Sequence, residues 1–330
     1  MRYLTLFHLT LFQQSIATEF HLLLTTEAIS LWLCVDLTSP HTMATSTRFL
    51  VASLAFAPLI SVESRADENL FGWSKGSETL PKGHVDLYQF TTMRTGKADE
   101  DGSYNAYDFE TEIEYGYSDE LQLALSVAQN YFSGSALEDD DDSLTQRGYR
   151  FGGIAASGKY RFKSPFIDGY GLALNQQIGY NWHDETAGIE ENHMYLAPTL
   201  IFQKNFLDNT LITTASAGFD MGWGKKPAEE YSKELGLESQ MGVSYRFAPG
   251  WFVGLEGRIR SEYPDFKIQD NEHYVVFIGP NVHYGSEKFW ATLAWAYQVY
   301  GNESSEQQEA HRAFAEQVQN EIRLKVGLNF

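Results

Sequence analysis

From about residue 106 to its end, the chain alternates apolar with polar or small residues at a period of two, and that pattern limits the folds open to it. Over 106–117, Tyr107, Phe109, Thr111, Ile113, Tyr115 and Tyr117 fall on one side. Ala106, Asp108, Glu110, Glu112, Glu114 and Gly116 fall on the other. Successive side chains of a β-strand point to opposite faces, so such a segment has one greasy and one wet face. The last nine residues repeat the pattern, with Ile322, Leu324, Val326, Leu328 and Phe330 against Arg323, Lys325, Gly327 and Asn329. At a free sheet edge such a strand templates aggregation unless it is paired or covered.

The pattern predicts twelve strands, near 83–94, 106–117, 121–131, 148–162, 169–182, 193–204, 210–221, 234–247, 251–262, 273–284, 289–300 and 319–330. The links sort by parity. Those after even-numbered strands are short turns such as Ser118-Asp119-Glu120 and Ala248-Pro249-Gly250. Those after odd-numbered strands are mostly longer and polar: 95–105, 133–147, 183–192, 222–233, 263–272 and 301–318. After residue 66 no apolar run approaches the ~18 residues of a membrane-spanning helix, so a membrane span must be a closed barrel. Aromatics at both ends of 106–117 around an aliphatic centre fit two interfacial girdles. The expected fold is all-β, an antiparallel up-and-down transmembrane β-barrel of about twelve strands, with ten and fourteen as alternatives. Two strands keep the count open. Strand 1 has no cleanly apolar face. Strand 4 loses phase between Phe151 and Ile154, which a bulge near Gly152-Gly153 would repair.

The ending, from Ile322 through Val326 and Leu328 to Phe330, resembles the C-terminal strand of Gram-negative outer-membrane β-barrel proteins. In those proteins the terminal Phe is part of the signal read during insertion. The resemblance implies an outer-membrane location, the lipid bilayer and the barrel-assembly machinery as partners, and an insertion signal at Val326, Leu328 and Phe330. The architecture looks like one of the uncharacterised, porin-like outer-membrane families.

The front end divides into three. Met43 opens a short basic region ending at Arg48; Phe49 to Ile60 is apolar; Ser64-Arg65-Ala66 offers small residues before Asp67. This reads as a secretory signal peptide over 43–66, with 67–330 as the barrel. Residues 1–42 read as an upstream misannotation, or alternatively as a true extension or anchor. They hold the only cysteine, Cys34, so 67–330 has neither disulfides nor thiol chemistry. The whole chain carries a net charge of −20. Removing Arg2, Arg48 and Arg65 with Glu19, Glu27, Asp36 and Glu63 leaves −19, a balance that argues against a nucleic-acid partner.

The candidates for chemistry face the expected lumen: Asp108, Glu110, Glu112 and Glu114 on strand 2, Glu256, Arg258 and Arg260 on strand 9, and Arg323 and Lys325 on strand 12. Either these stripes set a transverse field across a pore, or they form a salt-bridged filling. Twelve strands lie between filled eight-stranded barrels and open 16–18-stranded ones. Glu138, Asp139, Asp140, Asp141 and Asp142 are oxygen-rich but lack a regular Ca²⁺ loop, so no metal is assigned there; a solvated acidic loop is the plainer reading. Asp99-Glu100-Asp101-Gly102 reads the same way. The segment 307–319 is rich in helix formers; it can be a short helix, a fold-in constriction or an extension of strands 11 and 12. No cofactor motif is present, and enzyme patterns fail. None of His84, His183, His193, His273, His283 and His311 has Ser two residues on, as outer-membrane phospholipases require. The rim pair His183-Asp184 of a protease-like reading would point to opposite faces.

The expected function is a narrow passive channel for small polar solutes, with acidic outer loops favouring cations at its mouth. The alternatives are a closed barrel for anchoring, adhesion or envelope integrity and, behind it, an outer-membrane enzyme.

Overall fold

The computed structural model describes residues 69–97, 104–134, 148–183, 190–225, 231–303, 312–314 and 317–330. Residues 1–66, the acidic segments 99–101 and 138–142, and Asp184 lie outside them.

All twelve predicted strands are present: β1 (Val85–Thr95), β2 (Tyr104–Gly116), β3 (Leu121–Gly134), β4 (Gly148–Lys163), β5 (Gly171–His183), β6 (Glu190–Phe206), β7 (Leu211–Lys225), β8 (Ser232–Ala248), β9 (Trp251–Pro264), β10 (His273–Gly285), β11 (Phe289–Glu303) and β12 (Asn320–Asn329). Each pairs antiparallel with its sequence neighbours, and β1 pairs with β12 to close the barrel. That seam runs from Asp86 opposite Asn329 to Thr95 opposite Asn320. Beyond it the Phe330 amide donates to the Val85 carbonyl at 3.0 Å. Closure removes both sheet edges, which answers the hazard of the terminal alternation. The strands run from 10 to 17 residues, enough for the 9–11 that a tilted strand needs to cross the hydrocarbon.

The outer wall is apolar and unpartnered. Leu125 is 63% exposed, Leu255 51% and Ile154 48%. Aromatics crowd both ends: Tyr115, Tyr160, Phe162, Phe247 and Trp251 toward the short turns, and Tyr149, Phe151 and Trp182 toward the long loops. A belt of aliphatics between aromatic girdles is the lipid-facing surface of a transmembrane barrel of the outer-membrane type.

The two irregular strands resolve as follows. In β4 the pairing with β3 slips between Ala128 and Gln129, so Gly153 faces Ala128, Phe151 faces Gln129 and Gly152 is left over. That bulge returns Tyr149 and Phe151 to the lipid face. In β1 the inward side is Asp86, Tyr88, Phe90, Thr92 and Arg94. Its outward side is mixed because Gln89 is polar, and there its Oε1 accepts a bond from Thr111 Oγ1 at 2.7 Å. No helix occurs among the described residues. Of the 307–319 stretch, the described parts fold inward: Ala313 and Val318 are fully buried.

Candidate functional site: the barrel lumen

Polar side chains line much of the barrel interior, and one set is locked in ion pairs. On β1, Arg94 pairs with Asp108 of β2 and with Glu321 of β12 at 3.3 Å. Glu321 also binds Arg258 of β9 at 2.5 Å. Asp108 of the acidic stripe and Arg258 of the basic one are therefore linked through two further residues, Arg94 and Glu321. Glu321 shares the parity of Arg323 and Lys325, which is the signal that could have found it; β1 carries no lumen residue named from the sequence against which Arg94 could be placed.

Three other predicted charges, Glu256, Arg323 and Lys325, hold a segment that the alternation does not reveal. Residues 69–82 enter the lumen from the short-turn end. Near the entrance the Leu80 amide donates to Gln122 Oε1 at 2.8 Å, Thr79 Oγ1 to the Asp119 carbonyl at 2.7 Å, and the Ser77 amide to Gln203 Oε1 at 2.8 Å. Glu78 pairs with Arg161 and accepts from Ser164 Oγ at 3.0 Å. Burial there pushes the Glu78 carboxyl above its usual range, with Arg161 opposing.

Further in, one carboxylate receives three consecutive backbone amides. Glu256 Oε1 accepts from the Gly72 amide at 2.6 Å, and Oε2 accepts from Trp73 and Ser74 at 2.9 and 3.0 Å. Asn281 Nδ2 donates to Oε1 as well, at 2.9 Å. Lys325 Nζ donates to Asn69 Oδ1 and the Phe71 carbonyl at 2.9 and 3.1 Å, and Arg323 to the Gly72 carbonyl at 3.2 Å. The Trp73 ring lies between the guanidinium groups of Arg258 and Arg323, at 5.4 and 5.1 Å. Leu70 and Phe71 bury themselves with Ile212 and Phe252. The sequence signal for this plug is the apolar run Leu70-Phe71-Gly72-Trp73 standing outside any strand. It shows no alternation because every side of it is covered.

From the long-loop end a second element reaches in. Gln298 of β11 accepts from the Ala313 amide at 2.9 Å and donates to the Val318 carbonyl at 3.1 Å. Val318 packs with Tyr104, Ala106 and Phe132. Ala313 shares one apolar cluster with Trp73, Val275, Phe277, Ala294 and Ala296. Plug and loop together therefore cover the β10–β12 wall, and toward the short turns the plug also reaches β3, β6 and β7.

The opposite wall is different. At mid-height on β4–β8 the inward residues are small or neutral, and Ala155, Ser157, Gln177, Ala197, Thr199 and Gln240 are all half-buried. On β10 and β11 the inward Val275, Phe277, Asn281, Thr292, Ala294 and Gln298 are buried. Solvent reaches the first wall and not the second. Toward the long loops the accessible wall turns acidic, with Asp220, Glu234, Glu238 and Glu262 around Arg260, which binds Glu262 at 2.7 Å and Asp220 at 4.0 Å. Glu110 and Glu112 are also half-buried.

Leu328 and Phe330, which the C-terminal resemblance implies as an insertion signal, sit outward on the wall, 36% and 71% exposed, with Val326 on the same face. Among the described residues, one group of metal-ligating atoms converges, at Glu262, Glu272 and His273.

A family model, a family of unknown function called DUF6662, matches residues 63–330. No curated protein matches in sequence. Among solved structures, an outer-membrane channel from Pseudomonas putida F1 superimposes with a TM-score of 0.54 at 13% identity, over 77% of this chain and 98% of that one. The NanC porin gives 0.44 at 10%, over 74% and 98%. The translocator domain of the autotransporter NalP from Neisseria meningitidis gives 0.43 at 11%, over 77% and 91%. At these identities the first likeness is one of fold, and the other two add no argument.

Proposed function

This chain belongs to the DUF6662 family of unknown function, and from the geometry of its lumen we propose that it is a narrow passive channel of the outer membrane for small polar solutes, with a preference for cations. The observation that carries this reading is the asymmetry of the interior. A plug and an infolded loop cover one wall, while the facing wall on β4–β8 keeps half-buried, small and neutral side chains at mid-height. Larger solutes are excluded because the plug and the infolded loop occupy part of the lumen. Cations are favoured because the basic groups Arg94, Arg258, Arg323 and Lys325 are neutralised by Glu321 or bound to plug carbonyls. The solvent-facing charges near the outer mouth are mostly carboxylates.

In planar bilayers the purified protein should give small, cation-selective conductance steps, and liposomes carrying it should swell in small sugars or amino acids. Absence of both would refute the reading.

A closed barrel for anchoring or adhesion is the second reading, and the anchoring of residues 69–82 at both Glu256 and the entrance favours it. In that case deletion of the loop after β3 would leave permeability unchanged and abolish surface binding. The export route belongs to the same proposal: a signal peptide over 43–66, and Val326, Leu328 and Phe330 read by the assembly machinery. N-terminal sequencing of outer-membrane material should then begin at Asp67; a start within 1–42 would refute the processing.

A further inference from the structure

The β9–β10 link at the long-loop end carries a constellation that the channel reading does not use. One ligand atom each from Glu262, Glu272 and His273 lies within 4.8 Å of the others. His273 Nε2 stands 3.8 Å from Glu262 Oε2. Ligands on a tetrahedral ion with bonds of about 2.1 Å stand about 3.4 Å apart, so a small side-chain closure completes the geometry.

The surroundings set the ligands in place. Arg260 Nε takes the other oxygen of Glu262 at 2.7 Å and leaves Oε2 toward the imidazole. Such an outer contact orients a ligating carboxylate. Asn271 Nδ2 donates to the carbonyls of both Glu262 and His273, at 3.2 and 3.1 Å, and the Glu272 amide donates to the Glu262 carbonyl at 2.9 Å. The backbones bearing the three ligands are thereby tied together. The His273 ring is buried, 1% exposed, whereas Glu272 is exposed, so an ion would enter from the outer side. Gln317, on the infolded loop, brings its side-chain amide to 3.2 Å from His273 Nε2. The Gln317 amide can turn over about its last bond, and with the oxygen inward it becomes a fourth donor. One imidazole with two carboxylates suits Zn²⁺ or a similar borderline divalent ion; Ca²⁺ prefers oxygen-only shells of six to eight ligands.

We propose that Glu262, Glu272 and His273 form a divalent transition-metal site of the zinc class at the outer mouth, with Gln317 tying the infolded loop to it. The acidic wall of Asp220, Glu234 and Glu238 raises the local cation concentration beside it.

The test is calorimetric titration of untagged, chelator-stripped barrel in detergent with Zn²⁺, alongside Glu272→Ala and His273→Gln. Heat-modifiable gel mobility checks that each variant is folded. Binding of one Zn²⁺ per barrel, weakened about tenfold or more in each folded variant and unaffected by equimolar Ca²⁺, is the expected result. Absence of Zn²⁺ binding, undiminished binding in Glu272→Ala, or displacement by Ca²⁺ would overturn the assignment. Glu272→Ala, on an exposed side chain, decides the matter even if His273→Gln fails to fold. None of these readouts depends on conductance.

Discussion

At the residue scale, Glu256 determines what fills the lumen. A buried carboxylate is stable only with charge-assisted donors around it, and here three of them are consecutive backbone amides of the plug. Glu256→Gln replaces two charged acceptor oxygens with one neutral one. It should weaken plug docking by about 3 kcal/mol and speed hydrogen exchange at the amides of residues 72–74 by about a hundredfold, leaving the strand amides unchanged. Unaltered exchange there would mean that the carboxylate is incidental.

Asp168, in the turn after β4, sets a pH dependence outside the membrane-spanning segments. It accepts from Lys163 Nζ at 2.9 Å and from the Ser164 amide at 3.0 Å, and the Lys163 bond holds its carboxyl below the usual range. A carboxyl depressed in the folded state stabilises above its unfolded pKa of about 3.9, and that contribution is lost as pH falls through the lower folded value. Protection of the Ser164 amide should therefore persist down to pH ~4 and fade below it, and Asp168→Asn should remove that acid step.

The lumen charges were legible in the sequence wherever a strand had one clean face. Arg94 was not, because Gln89 and Thr91 share the outward side of β1 and blur its parity. Glu321 keeps the parity of Arg323 and is legible by the same rule.

At the element scale, the strands could be read because period-two alternation is a direct image of the environment on their two faces. The bulge at Gly152 could be read as a loss of phase. The plug could not, since a segment enclosed by a polar lumen has no face to alternate against, and its partners lie as far as 256 positions away. Closure of the barrel uses only β1 to β12. Deleting residues 69–80 should therefore leave heat-modifiable, β-rich protein and raise single-channel conductance several-fold. Unchanged conductance would place the constriction elsewhere. At β4, Gly152→Val puts a branched side chain against Asn130, since even a Cβ there clashes with its side-chain amide. It should cost about 1–3 kcal/mol of stability in urea unfolding from vesicles.

At the scale of the whole molecule, lumen, plug and outer mouth all depend on hydrocarbon solvating the outer wall. That wall follows from the sequence almost completely, from the aliphatic belt to the parity of turns and loops, because one solvent dictates every outward position. The interior follows only partly, because side chains there answer to one another.

The direct measurement is power saturation of nitroxide labels placed singly along β3 from Leu121 to Ala128, in the barrel reconstituted into vesicles. Labels at Leu123, Leu125 and Val127 should relax with dissolved oxygen and resist a water-soluble nickel chelate, and labels at Ala124 and Ala128 should not share that oxygen dependence. Loss of the alternation, or free access of the chelate to Leu125, would contradict the transmembrane barrel.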